Sequence, residues 1–115
     1  MSLEQGDREA GAVAVAPRVT LADIEAAIRN AVFFTGDDAA AIGSHQLEQA
    51  DWDALSVLTI CILVMRNGFT VIGHSACASQ ENYNADLGRK FAKEDAMRKV
   101  WALMGYALRD KLAAG

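Results

Sequence analysis

Two cysteines and two histidines are the residue types best suited to nucleophilic or metal chemistry, and their spacing supports little of either. Cys61 and Cys77 form no CxxC pair and no Cys/His ligand pattern, so free thiols are the plain reading. Cys61 and His74 fall opposite one another if the intervening segment is a tight hairpin. A thiol beside an imidazole is the minimum that a cysteine nucleophile needs. No third group to orient the imidazole and no oxyanion loop accompanies them, and a core role for His74 stays open. His45, alone in a polar stretch, reads as surface. The expectation is a protein that is not an enzyme and carries no metal or cofactor.

The basic residues offer more. Arg89, Lys90 and Lys93 cluster near the start of a helical pattern, where unpaired backbone N–H groups also favour an anion such as phosphate. The alternative is a solvated helical face, since Asp86 precedes Lys90 by four residues. Arg98 and Lys99 have the same two readings, as do Arg109, Asp110 and Lys111. Phe69, Tyr83, Trp101 and Tyr106 could stack on a planar ring or fill a core, with Phe69 and Tyr83 placed to be exposed. Asn82 and Asn84 could cap a helix or hydrogen-bond a ligand. Charge and exposure together select Phe69, Asn82, Tyr83, Arg89, Lys90, Lys93 and Arg109 as the candidate ligand-binding set.

The elements that must position these groups centre on LTICILVMRNGFTVIGHSAC, Leu58 to Cys77. Two strand-like runs meet at Asn67-Gly68, the pair best able to take the positive φ of a two-residue type I′ turn. That turn pairs Arg66 with Phe69, Val64 with Val71, Ile62 with Gly73 and Cys61 with His74. One face then collects Leu58, Ile60, Ile62, Val64, Phe69 and Val71. The other collects Thr59, Cys61, Leu63, Met65, Thr70, Ile72, His74 and Ala76, and the two cysteines lie on opposite faces. Both faces are largely apolar. One suits a helix of the same chain, and the other calls for a second subunit.

Residues 1–18 are rich in Gly, Ala, Glu and Asp without a period, which predicts a disordered arm ahead of one domain at 19–115. Thr20 with Asp23 makes a capping-box start for a helix from Leu21 to about Phe33. The stretch from Ala39 to Ala54 reads as loop with a turn or two of helix. A long helix follows at about 84–112, with Leu87, Phe91, Trp101, Met104, Leu108 and Leu112 on one stripe. Its apolar arc widens toward the C-terminus through Ala96, Val100, Leu103 and Ala107, again as if for a partner. Gly88 and Gly105 weaken it, or admit another backbone. The fold class is α+β: N-terminal helix, antiparallel hairpin at about 57–77 and long C-terminal helix, assembled as a homodimer or higher oligomer.

A net charge of −4 and a pI near 5.0 argue against nucleic acid as a partner. The apolar run Leu55–Met65 is too short to cross a bilayer, and no signal-peptide pattern opens the chain. Cytoplasmic residence, in a host cell, is expected.

RNGFTVIGHSAC (Arg66–Cys77), ENYNADLGRKFAKEDAMRKVW (Glu81–Trp101) and GYALRD (Gly105–Asp110), with the weaker FFTGDD (Phe33–Asp38), carry a family resemblance. The chain from Thr20 to Leu112 resembles a family of short phage and prophage proteins, described from gene product forty-nine of a coliphage and gene sixty-six of a Shigella phage. Proteins of this kind are associated with anti-defence sponges of the Thoeris type, which sequester cyclic ADP-ribose-like signalling nucleotides without cleaving them. The resemblance thus implies a small anionic nucleotide as partner, but assigns no particular contact residues. The alternative is a protein–protein module that binds a host or phage protein through the second apolar sheet face.

Overall fold

Asn67 and Gly68 do close a hairpin, but through a loop one residue longer than the type I′ turn requires. The computed structural model describes residues 2–115. Strands β1 (Ile28–Thr35), β2 (Leu58–Met65) and β3 (Thr70–Ala76) form one antiparallel sheet in the order β1-β2-β3. Between β2 and β3, the Gly68 N–H donates to the Met65 carbonyl at 2.9 Å and the Met65 N–H to the Phe69 carbonyl at 2.8 Å. Of the loop residues only Gly68 has positive φ, at 88°, while the Asn67 side chain accepts from the Phe69 N–H. This is the three-residue loop, a turn followed by a left-handed glycine.

The extra loop residue shifts the register by one. Cys61 pairs with Gly73, Ile60 with His74 and Ile62 with Ile72. Because side chains alternate, that single step carries the whole of β3 to the other face. Thr59, Cys61, Leu63, Met65, Val71 and Gly73 lie buried on one side, while His74 and Ile72 face the opposite way. The expected Cys61–His74 pairing is therefore incorrect. So is the placing of the cysteines on opposite faces: Cys61 and Cys77 share a face and are both free thiols.

The sheet gains its third strand from a segment read as helix. Helix α2 (Leu21–Ala27) begins with the expected capping box, Thr20 accepting from the Asp23 N–H and Asp23 from the Thr20 N–H. It ends seven residues later, not at Phe33. Arg66 at the hairpin loop explains the early stop, giving its N–H to the Ala27 carbonyl at 2.9 Å and its Nε–H to the Ala26 carbonyl at 2.6 Å. A cation supplying the last carbonyls is a favourable helix end. Beyond it, Val32, Phe33, Phe34 and Thr35 are strand formers, and β2 offers them an open edge. A bulge at Ile28/Asn30 starts the ladder. The β1–β2 connection holds two short helices, α3 (Gly36–Ala40) and α4 (Gln49–Ser56), the latter capped by Glu48 and Asp51.

Helix α5 (Ala85–Ala113) follows a turn at Gln80–Asn82, and Asn84 caps it by accepting from the Leu87 N–H. Its buried row is Gly88, Ala92, Ala96 and Val100, with Met97 beside it, spaced at i+4 along one side. Leu87 and Phe91, expected to cover the hairpin, are about half exposed. The reason lies in Gly73: a Cβ there would stand 2.3 Å from both the Ala92 carbonyl oxygen and the Ala96 nitrogen. Helix and strand touch backbone to backbone, so only small residues fit the contact line. The core is completed by Ile24 of α2 and by Trp101, whose indole N–H donates to the Val19 carbonyl.

Residues 3–13, expected to be a disordered arm, form helix α1 (Leu3–Val13). Leu3 is its buried anchor, and Asp7 ties it down by accepting from the Leu21 N–H at 3.0 Å and from Arg18 at 2.9 Å. The Leu21 N–H and then Arg18 hold the Asp7 carboxyl below its ordinary pKa. A carboxylate depressed in the folded state stabilises it above the unfolded value and ceases to do so as pH falls through the folded one. Helix α1 should thus loosen at pH values below the ordinary carboxylate range. Amide exchange over Leu3–Val13, accelerating there before the sheet amides, is the measurement; Asp7→Asn should reproduce the effect at neutral pH.

The radius of gyration is 17.2 Å and the extents 56 × 28 × 19 Å, against about 13 Å for a compact domain of this length. The last turns of α5 are among the exposed parts. A Cβ at Gly105 would meet nothing within 4 Å, and Tyr106 is 75% exposed. No helix among the described residues is long and apolar enough to cross a membrane.

Candidate functional site

Helix α5 is the axis along which the candidate residues are distributed, and they do not form one cluster. Phe69 sits at the hairpin end, on a groove of about 500 Å³ lined by Met65, Arg66, Val100, Leu103 and Met104. Arg109 lies exposed farther along the same end. Asn82 and Tyr83 lie at the opposite end, beside Leu87, Gly88 and Phe91. From Lys90 to Arg109 the helix rises about 28 Å, so Arg109 and the Lys90 region cannot serve one small ligand within a single copy.

Three of the seven residues share a continuous surface. A polar groove of about 480 Å³ is lined by Ser2, His74, Ser75, Lys90, Phe91, Glu94, Asp95 and Arg98. It shares Ser75 and Phe91 with the smaller cleft holding Asn82 and Tyr83. Lys90, Glu94 and Arg98 follow at i+4 on one stripe of α5, and Phe91 lies between the two hollows. The Tyr83 hydroxyl is not free for a ligand in the way its sequence position implied. It lies 3.2 Å from the buried Thr59 Oγ1 and is half-buried. Arg89 is held by Asp86 one turn earlier. Lys93 is half-buried on another flank, near enough to Cys61 to act on its titration.

The outer margin of the groove is tied to β3 by hydrogen bonds. Asp95 accepts from the His74 backbone N–H at 2.9 Å and lies 3.7 Å from both His74 Nδ1 and Lys99 Nζ. Lys99 donates to the Ile72 carbonyl at 2.7 Å. Asp95 is thus engaged by the His74 backbone N–H and the Lys99 ammonium, leaving Glu94 as the acid that would oppose an anion beside Lys90 and Arg98. Lys90 and Arg98, about 12 Å apart along the helix axis, leave two cations available to an anionic group in this groove, and the Phe91 ring is available to a planar one.

The Cys61 thiol is placed for none of this. It is fully buried under α5, and burial pushes its pKa up, with Lys93 partly opposing. A buried thiol held in its neutral form is a poor nucleophile. No group of three or more His, Cys, Asp or Glu side chains among the described residues could hold a metal ion.

Sequence reasoning selected Lys90, weighed Arg98 and His74 without placing them in the ligand-binding set, and gave Phe91 and Ser75 no part in a site. The i+4 spacing of Lys90, Glu94 and Arg98 was visible. The assignment of Phe91 to the core, which Gly73 forbids, hid its position beside them.

The model of the Phage protein (N4 Gp49/phage Sf6 gene 66) family matches residues 19–112. Helix α1 lies outside that match, and the sheet, α2 and nearly all of α5 lie within it. No curated protein and no solved structure matches the chain.

Proposed function

This chain belongs to the Phage protein (N4 Gp49/phage Sf6 gene 66) family, and from that premise we propose that it is a non-enzymatic accessory protein that binds and sequesters a small anionic nucleotide signal of host immunity. The ligand class is a cyclic ADP-ribose-like or cyclic nucleotide compound, and the work is done in the host cytoplasm by a homo-oligomer. The observation that carries the reading is one groove in which Lys90 and Arg98 share a wall with the half-exposed ring of Phe91. Cations for a pyrophosphate beside a ring for a base are what such a ligand requires. A thiol buried away from His74 suits binding without turnover.

Titration calorimetry of the full chain with cyclic ADP-ribose, ADP-ribose and cyclic dinucleotides tests this. One of them should bind, and native mass spectrometry should release it with its mass unchanged. Lys90→Ala with Arg98→Ala should weaken binding at least about tenfold, since a hydrogen bond to a charged group contributes about 1.5–3 kcal/mol. Glu94→Gln should strengthen it, by removing the opposing charge. Absence of heat with every probe would remove the reading.

A second reading has its own support. The sheet face opposite α5 carries Val32 and Ile72, 44% and 55% exposed, beside half-buried Ile60, Ile62 and Val64. An exposed apolar patch of this kind marks an interaction surface. A host or phage protein co-purifying in fixed ratio, with no bound nucleotide, would favour a protein-binding module.

A further inference from the structure

The two edges of the sheet are finished differently. On β3 the outward backbone is occupied by α5, through Asp95 on the His74 N–H and Lys99 on the Ile72 carbonyl. The β1 edge follows from the ladder. Met65 and Cys77 show that odd-numbered residues of β2 and its flank bond to β3, since the Met65 N–H reaches Phe69 and the Cys77 N–H reaches Val57. Alternate residues of an antiparallel strand bond to opposite sides. Ile60, Ile62 and Val64 therefore bond to Phe34, Val32 and Asn30, and the backbone groups of Ala31 and Phe33 point away from the sheet. The Ala31 N–H is taken only by the adjacent Asn30 side chain. The Ala31 carbonyl and both backbone groups of Phe33 have no partner among the described residues.

An apolar edge strand with a free backbone templates further pairing unless a charge, a proline or a covering element blocks it. From Asn30 to Thr35 this strand, NAVFFT, has no charge and no proline.

We propose that β1 is the seam of a homodimer, pairing antiparallel with β1 of a second copy about a twofold axis at Val32. This deepens the assembly part of the function proposed above and stands apart from its ligand. The axis position is set by the free groups. Pairing Val32 with itself sets Ala31 opposite Phe33, so each exchanges both bonds with the other copy once the Ala31 N–H trades its Asn30 side-chain acceptor for the facing Phe33 carbonyl. It also sets Asn30 opposite Phe34. The exposed Arg29, the extra residue of the β1 bulge, then falls opposite Thr35 of the second copy, whose hydroxyl donates to Asp37, and symmetry makes that approach of opposite charges twice. A self-complementary patch of this kind defines an isologous interface. A foreign strand would have to supply both the register and an acid for Arg29, whereas a second copy carries both.

Val32→Cys in the full chain, with Cys77→Ala to remove the accessible native thiol, tests the axis. Val32 would face itself at a non-hydrogen-bonded pair, where Cα atoms are about 4.5 Å apart, within reach of a disulfide. Mild oxidation should convert most of the protein to a covalent dimer, while Ile72→Cys in the same background stays unlinked. Light scattering should find the unmodified chain dimeric at tens of micromolar without ligand. Arg29→Glu should raise the dissociation constant about tenfold, and Arg29→Glu with Asp37→Arg should restore it. A monomeric chain, or cross-linking through Ile72 in place of Val32, would overturn the proposal.

Discussion

Gly73→Ala should destabilise the fold by about 3 kcal/mol or more, the upper range for adding a methyl group to a packed core. The added carbon would stand 2.3 Å from the Ala92 carbonyl oxygen, 2.3 Å from the Ala96 nitrogen and 2.7 Å from the Ala96 Cβ. Two of those atoms are helix backbone, so no side-chain rotation relieves the clash. Either α5 lifts from β3 along its whole buried row, or β3 bends away from β2. Urea denaturation with an unchanged m-value should report the loss, and the midpoint of thermal unfolding should fall by roughly 10–20 °C. Gly105→Ala is the counterpart. Its Cβ would meet nothing within 4 Å, so the gain in helix propensity, about 1 kcal/mol, should appear in full. A Gly73→Ala protein within about 1 kcal/mol of the parent would mean that α5 does not cross β3 at this point.

Gly73 also shows where the sequence stops being legible. Asn67-Gly68 announced a hairpin, and the hairpin exists. What Asn-Gly could not announce was whether one or two loop residues take positive φ. That difference separates a two-residue loop from a three-residue one and decides which face each β3 residue joins. With both faces of the hairpin apolar, hydrophobic patterning had no power to choose the register. The helix told the same story: Phe91 and Leu87 fit an apolar stripe better than Gly88 and Ala92 do. Only the backbone approach at Gly73 makes the small residues the buried ones.

The first third of the chain was misread for a different reason. Ile28, Ala31 and Val32 match a helical period and a strand equally well, and Arg66, forty residues away from Ala26, decides between them by capping α2 at Ala27. Helix α1 rests on one buried leucine and one aspartate, too few contacts to leave a period in the sequence. Of the candidate site, the cations were legible as a charge cluster on a helix start. Their division was not, because it depends on which flank of α5 meets the sheet. Arg89 turns to Asp86, Lys93 lies half-buried on another flank, and Lys90 alone joins Arg98 and Phe91 in the groove.

Leu63→Ala should be the most costly truncation on β2, and with Ile72→Thr it decides the register outright. Leu63 is fully buried at the middle of the central strand, opposite Val71 and beneath α5. Emptying such a site removes the transfer energy of the lost atoms and leaves a cavity that a strand held on both sides cannot close, which sets the loss at about 2–5 kcal/mol. Ile72 is one residue from Val71 and equally apolar, yet it stands on the face that α5 does not cover, 55% exposed. Its replacement by threonine, which keeps the β-branched shape, should change stability by no more than about 0.5 kcal/mol. In the two-residue-loop register the two side chains would share one face beneath the helix, and both substitutions would be costly. Equal losses at Leu63 and Ile72 in denaturant unfolding would therefore count against the three-residue loop, and with it against the separation of Cys61 from His74 on which the reading of a binder without turnover depends.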